Sequence, residues 1–138
     1  MLLALFLSLF LQDLPDGAGK AEILKVCQDC HDTSTIVSDN RTKEGWQRII
    51  EKMIDRGSEG TDAQYETIIA YLTKNFGRIN VNKATAAEIA AGVGFSAEEA
   101  DAIVKYREKN GDFKDWRGLK EVVDAAKVDS KKDHIAVK

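Results

Sequence analysis

The chain has little of what zinc sites and nucleic-acid-binding surfaces require. Its 138 residues include two cysteines and two histidines, whereas a structural zinc ion usually takes four such ligands. A formal net charge of −3 and a pI near 5.4 give no global reason to expect nucleic acid or an anionic membrane as the partner. The sequence also has no paired carboxylates, serine triad or phosphate-binding loop that would indicate another chemistry.

The two cysteines are followed at once by a histidine, in the run Cys27-Gln28-Asp29-Cys30-His31. This pattern is the attachment site of a c-type haem, in which the two thiols form thioethers to the haem vinyl groups. The next side chain, His31, can place a ring nitrogen on the iron from the proximal side. The run therefore predicts one covalent haem c held by Cys27, Cys30 and His31.

A bare pair of cysteines at this spacing also occurs in dithiol redox sites, structural disulfides and zinc sites. Zinc would lack ligands, because the only other histidine is His134. A thioredoxin-like site would require a strand before the motif and a βαβ pattern around it, and the sequence shows neither. The adjacent His31 therefore favours haem.

An apolar run from Leu2 to Leu11 opens the sequence and is broken by Leu14-Pro15-Asp16-Gly17. Such a run is too short to span a bilayer but suits the core of a signal peptide. It has no basic segment before it and no evident cleavage site, so either the true start lies upstream or the leader is atypical. A buried helix is the competing interpretation. We predict a leader at residues 1–16, with no integral membrane span. Since bacteria attach haem c outside the cytoplasm, the protein is expected to be periplasmic or otherwise extracytoplasmic.

Residues 17–77 have the pattern of three helices. The first runs from Ala18 to Val26, the second follows a Thr42 cap, and the third follows a capping box of Thr61 and Gln64. The polar stretch from Asp32 to Arg41 predicts no regular element. Apolar residues at helical spacing mark the second and third helices: Trp46, Ile49, Ile50, Met53, Ile54, Tyr65, Ile68, Ile69, Leu72 and Phe76.

This half of the chain resembles small cytochrome c domains. The shared features are the CxxCH motif, a Trp-containing helix and a closing helix with a Tyr-Leu pair, here Tyr71-Leu72. The resemblance implies an all-α, three-helix haem domain. Because about 60 residues bury little apolar surface by themselves, the haem would have to form part of the core.

The resemblance also implies a second axial ligand. Related domains often supply a methionine from a WxxxIxxM helix, here Trp46, Ile50 and Met53. A thioether suits both the iron and an irregular core, so Met53 is predicted as the distal ligand with a purely structural role as the alternative. If Met53 has only a structural role, the iron would be five-coordinate or would take His134, which lies in a polar tail.

Other residues near the motif have ordinary interpretations that we favour. Trp46 could pack on the porphyrin edge, but an aromatic residue on an apolar stripe is more often core. Arg41 and Arg48 could donate to the haem propionates, although solvated surface is the simpler interpretation.

Residues 78–138 form a second predicted helical module. Capping boxes at Thr85/Glu88 and Ser96/Glu99 begin helices that Gly94 and Gly111 end. A third helix is expected to carry apolar residues after Phe113 and Trp116, and a last turn closes the chain. The expected apolar residues of that third helix are Leu119, Val122, Val123 and Ala126.

The order of these elements resembles a tandem helix-hairpin-helix domain, like that of competence DNA receptors and of a photosystem II extrinsic subunit. In DNA-binding members, a glycine–hydrophobic–glycine hairpin points backbone amides at a phosphate. The corresponding hairpin here is Gly94-Phe95-Ser96, the predicted contact for DNA or a protein partner. It has serine at the second glycine position, and the second hairpin, near Val122 to Asp124, has no glycine.

The sequence thus predicts a monohaem electron carrier rather than an enzyme, with a helix-hairpin-helix module that docks on an unknown redox partner. The alternative is a DNA-binding protein of the competence-receptor type with a redox-sensing haem. Residues 78–138 contain 12 Lys and Arg against 11 Asp and Glu, which disfavours strong binding to a phosphate backbone. A haem enzyme or gas sensor would follow only if Met53 does not bind the iron.

Overall fold

The computed structural model describes residues 14–138, so the predicted leader falls outside the described residues except for its last three positions. The described part is all-α, as predicted, with two very short strands. The α-helices are α1 (Lys20–Cys27), α2 (Ser34–Val37), α3 (Lys43–Asp55), α4 (Asp62–Phe76), α5 (Ala86–Val93), α6 (Ala97–Asn110), α7 (Trp116–Lys120) and α8 (Ala125–Ser130). The strands are β1 (Ile79–Asn80) and β2 (Ile135–Ala136). Across residues 14–138, no helix is long and apolar enough to cross a membrane.

The first half of the described chain packs α1 and α3 against α4. Its core gathers the apolar residues that the sequence placed at helical spacing, together with Leu14 from the end of the predicted leader. Leu14 is held there because the Tyr71 hydroxyl donates a hydrogen bond to the carbonyl of Pro15. The buried residues of this first core are Leu14, Ile23, Val26, Trp46, Ile50, Tyr65, Ile68, Tyr71, Leu72 and Phe76.

The second half has a separate set of buried residues. Helices α5 and α6 pack against each other, α7 packs against α8, and all four helices contribute residues to this core. Its buried residues are Val81, Ile89, Val93, Phe95, Ala100, Ile103, Phe113, Leu119, Val123, Val128, Ile135 and Val137. A short parallel pairing of β1 with β2 joins the beginning of this half to its end.

Two helices differ from the sequence prediction. The polar stretch after the CxxCH motif contains the short helix α2. The predicted third helix of the second half is two helices, α7 and α8, because the Asp124 side chain accepts a hydrogen bond from the Lys127 amide at 3.0 Å and starts a new helix. The apolar residues expected on one helix therefore lie on two helices and the connection between them.

The segment Phe76-Gly77-Arg78, which connects the two halves, is hydrogen-bonded to Arg41. The Arg41 amide donates to the Phe76 carbonyl at 3.0 Å, and the Arg78 amide donates to the Arg41 carbonyl at 2.8 Å. Between these bonds lies Gly77, which forms an isolated parallel bridge with Arg41. The chain thus leaves the first half along a backbone segment that also borders the candidate site described below.

We expect Gly77→Ala to lower the free energy of unfolding by about 1–3 kcal/mol, the usual cost of forcing an added methyl into a filled space. A Cβ on Gly77 would overlap the carbonyl oxygen of Thr73, which is backbone and cannot rotate away. The control is Gly118→Ala, where the nearest atom, Phe113 Cδ1, lies at an ordinary 3.4 Å. Urea unfolding of both variants measures the difference, and equal stabilities would contradict this packing.

Candidate functional site

A cavity of about 460 Å³ opens beside the core of the first half. Cys27, Cys30, His31 and Met53, the four residues predicted to hold the haem, all line it. They come from different places: the end of α1, the turn that follows it, and the second half of α3. The fold thus brings Met53 to the same space as the CxxCH motif, across more than twenty residues of sequence.

The walls of the cavity are mainly apolar side chains from all four helices of this half. The apolar lining residues are Val26, Ile36, Trp46, Ile49, Ile50, Ile68 and Leu72. An apolar cavity that carries thiol, imidazole and thioether groups matches the chemistry of haem c, which needs two thiols for attachment, axial nitrogen or sulfur donors and apolar contacts for the porphyrin. The residues present therefore fit this group.

The two thiols differ in their surroundings. Cys27 ends α1 and is half-buried, whereas Cys30 lies in the following turn and is exposed. Burial raises the pKa of the Cys27 thiol, and the neighbouring Cys30 raises it further. Because the reactive thiol of a dithiol redox site has a lowered pKa, this environment disfavours that alternative.

The ring of His31 is oriented by a backbone carbonyl. Its Nδ1 lies 2.8 Å from the carbonyl oxygen of Asp32, which can only accept a hydrogen bond. In the neutral ring Nδ1 must then carry the proton, which leaves the lone pair on Nε2 for a metal. The Asp32 side chain in turn accepts a hydrogen bond from the Ser34 amide at 2.9 Å, and this fixes the turn that leads into α2.

Helix α3 presents Met53 to the cavity. Its start is set by Thr42, whose hydroxyl accepts a hydrogen bond from the Gly45 amide at 3.2 Å. From that start the helical period places Trp46, Ile50 and Met53 on the cavity side. Met53 is half-buried, and its position suits both a ligand and a wall residue, so its role as ligand stays a prediction.

Charged residues stand among the apolar residues of the cavity lining. Arg41 lines the cavity, pairs with Asp39 and lies over the Trp46 ring, 5.9 Å from its centroid. Arg48, the other arginine considered from the sequence, is exposed and does not line the cavity. Sequence reasoning missed Arg56, which does; its spacing of three residues after Met53 was the available signal.

His134, the other candidate axial ligand, lies elsewhere. It is exposed at the end of a 3₁₀ turn, Lys132–His134, in the second half and is not among the residues that line the cavity. Within residues 14–138, no three His, Cys, Asp or Glu side chains cluster as a metal site of their own. The candidate donors for a metal are therefore those that face the cavity.

Trp46 connects the cavity wall to the end of α4. Its indole Nε1 donates a buried hydrogen bond to the Phe76 carbonyl at 2.9 Å. We expect Trp46→Phe to cost about 1 kcal/mol or more in unfolding free energy, because phenylalanine keeps most of the packing but removes the donor. Trp116→Phe is the matched control, since its indole donates no hydrogen bond within residues 14–138. Thermal unfolding compares the two variants. A Trp46→Phe variant as stable as the wild type would contradict a stabilising role of this hydrogen bond.

The predicted hairpin lies between α5 and α6. Gly94 ends α5 with a left-handed φ of +81°, and the Phe95 side chain is buried in the second core. Ser96 caps α6: its hydroxyl accepts from the Glu99 amide at 3.2 Å, and the Glu99 carboxylate accepts from the Ser96 amide at 2.8 Å. The Lys127 ammonium, 2.7 Å from this carboxylate, keeps the pKa of Glu99 below its usual value.

This hairpin therefore carries its own anion where a DNA-binding hairpin offers amides to a phosphate. The Glu99 carboxylate, itself paired with Lys127, takes up the Ser96 amide, so this amide is not available to a phosphate. The second hairpin, between α7 and α8, is similar, because the Asp124 carboxylate accepts from the Lys127 amide. Both hairpins thus present carboxylates at the start of the helix that follows.

Comparison with known proteins supports the description of the second half of the chain. A family model described as a helix-hairpin-helix motif matches residues 74–125, from the last turn of α4 to the start of α8. An uncharacterized protein of Haemophilus influenzae is 41% identical over 61 residues, which are 42% of this chain and 54% of that protein. The chain thus spans about half the length of this relative. No solved structure matches. The second half of the chain therefore contains a helix-hairpin-helix motif.

Proposed function

We propose that this chain, whose second half contains the helix-hairpin-helix motif, is an extracytoplasmic monohaem cytochrome c that carries electrons to or from a partner protein. The observation that supports the proposal is the shared cavity: two thiols, an oriented imidazole and a thioether line one apolar space. The helix-hairpin-helix module would dock the carrier on its partner.

Each cavity residue has a separate role in this proposal. Cys27 and Cys30 would attach the cofactor covalently, His31 would offer Nε2 to the iron, and Met53 would offer a soft sulfur from α3. The bound haem would supply one-electron chemistry between ferrous and ferric iron. The apolar side chains exclude water, while the exposed side at Cys30 and His31 leaves an edge for outer-sphere exchange. No acid, base or nucleophile is needed, so the protein acts as a carrier rather than an enzyme.

DNA binding is the second candidate, because the helix-hairpin-helix motif occurs in DNA-binding proteins. The carboxylates of Glu99 and Asp124 at the two hairpins oppose it. So does the near balance of charge in residues 78–138, where 12 Lys and Arg meet 11 Asp and Glu. Protein docking therefore agrees better with this module.

Redox spectroscopy tests the carrier proposal. The full chain is produced with the c-type maturation machinery, and spectra are taken in both oxidation states with and without carbon monoxide. A carrier with His31 and Met53 as ligands gives sharp reduced α and β bands, titrates reversibly with one electron and does not bind carbon monoxide. A high-spin spectrum that shifts on adding carbon monoxide would instead indicate an open iron and a sensor or enzyme.

A further inference from the structure

A second depression, of about 360 Å³, lies where α7 meets the β1–β2 pair. Its sides carry Arg78, Lys114 and Lys138, and its aromatic surface is the half-buried ring of Trp116. The floor is the end of the chain around β2. We call this depression the basic groove.

The positive charge of the basic groove is available to a partner. Lys114 and Lys138 are exposed and form no ion pair in the part of the chain that the structure describes. Asp115, the acidic residue of the lining, is already engaged by the Arg117 guanidinium at 3.0 Å and by two amides of α7. Lys132 lies at the edge of the groove with its Nζ 5.9 Å from the centroid of the Trp116 ring, but its charge is already paired with Asp129 at 2.7 Å.

The basic groove adjoins the candidate haem cavity. Arg78 lines the groove, and its amide donates at 2.8 Å to the carbonyl of Arg41, whose residue lines the cavity. A protein seated in the groove would therefore contact a residue, Arg78, whose backbone is hydrogen-bonded to a residue of the cavity wall.

We propose that the basic groove is the docking site for an acidic face of the redox partner, which rests on the proposed function as an electron carrier. The groove holds three cations around one aromatic ring, of which Lys114 and Lys138 form no ion pair within residues 14–138. They are complementary to carboxylates, and such complementarity sets orientation and association rate. Tryptophan and arginine are also the residues that most often dominate the binding energy of a protein interface. At the Gly94-Phe95-Ser96 hairpin, by contrast, the Lys127 charge is already taken by Glu99.

Single-stranded nucleic acid is the less suitable occupant. It needs a row of cations that follows the backbone and several rings on which successive bases stack. The basic groove offers one ring, Trp116, and Lys132 already lies over it. An acidic protein surface requires neither a stacking platform nor a long row of cations.

The test titrates the ¹⁵N-labelled, haem-loaded, reduced full chain with a short polyglutamate peptide at low ionic strength, followed by NMR. The variant Lys114→Ser/Lys138→Ser removes two groove charges, and Lys105→Ser/Lys109→Ser removes two exposed charges from α6 as the matched control. We expect shifts at Trp116 and the neighbouring amides, and an affinity about tenfold weaker in the groove variant, because two of the cations that face the peptide are removed. The control should change it by less than about twofold.

Three results would overturn the proposal: no binding of polyglutamate, equal weakening in both variants, or tighter binding of oligothymidine than of polyglutamate in the groove. The optical spectrum of the same samples separates this proposal from the carrier function. A normal haem spectrum without peptide binding would reject the groove proposal alone. A chain that takes up no haem during maturation but still binds the peptide at the groove would reject the carrier function alone.

Discussion

Replacing both Cys27 and Cys30 by serine is expected to abolish covalent haem attachment completely. Serine matches the size of cysteine closely, so the cavity keeps its shape, but a hydroxyl forms no thioether with a vinyl group under the maturation reaction. Extraction with acid and organic solvent should leave the polypeptide of the variant colourless, whereas the wild-type polypeptide should keep its colour after the same treatment. The apolar cavity of about 460 Å³ would then stand next to the core without a covalent occupant.

The control for this experiment is Ser34→Ala, which alters the same turn region without removing a thiol. It should keep its haem after extraction, because Ser34 contacts Asp32 and does not line the cavity. Haem that resists extraction in the double serine variant would contradict the assigned attachment. Haem lost from both variants would mean that the turn rather than the thiols controls attachment.

Met53→Ala is expected to convert six-coordinate iron to five-coordinate iron. Removing the thioether opens one axial position, so the variant should bind carbon monoxide and lose the weak sulfur-to-iron charge-transfer band of the oxidised form. Because a methionine ligand raises the reduction potential, the potential should fall by on the order of 100 mV, within the roughly 0.8 V range that axial ligands set.

Ile54→Ala is the matched control for Met53→Ala. Ile54 is the next residue of α3, is 43% exposed and does not line the cavity. Its spectrum and potential should equal those of the wild type. A spectrum unchanged in Met53→Ala would assign Met53 to the wall of the cavity and would leave the distal position to solvent or an external ligand.

The helix starts were predictable because their signals are local. At Thr61, Thr85 and Ser96 the cap and the residue three positions later form reciprocal hydrogen bonds, as their sequence pattern predicted. The division between α7 and α8 was missed because Asp124 caps without a Glu or Gln three residues later, so the apolar period seemed unbroken. A lone aspartate before a helical stretch is the weaker form of the same signal.

Features that depend on distant residues were not predictable from the sequence. The pairing of Ile79 with Ile135 joins the two ends of the second half, and neither short segment has a strand pattern. The same holds for Asp39, which lies in the connection between α2 and α3 and lines the cavity. At the hairpin, the capping box of Ser96 and Glu99 was predictable, but the ion pair of Glu99 with Lys127, which comes from a later helix, was not.

The most direct test of the central claim is the mass of the intact polypeptide under denaturing conditions. The chain is produced in the same bacterial host with and without the c-type maturation machinery. We predict that maturation adds the mass of one haem and that proteolysis places it on the peptide that contains Cys27-Gln28-Asp29-Cys30-His31. An unmodified mass under both conditions would contradict the haem proposal and would leave a helical protein with two free thiols and a helix-hairpin-helix motif.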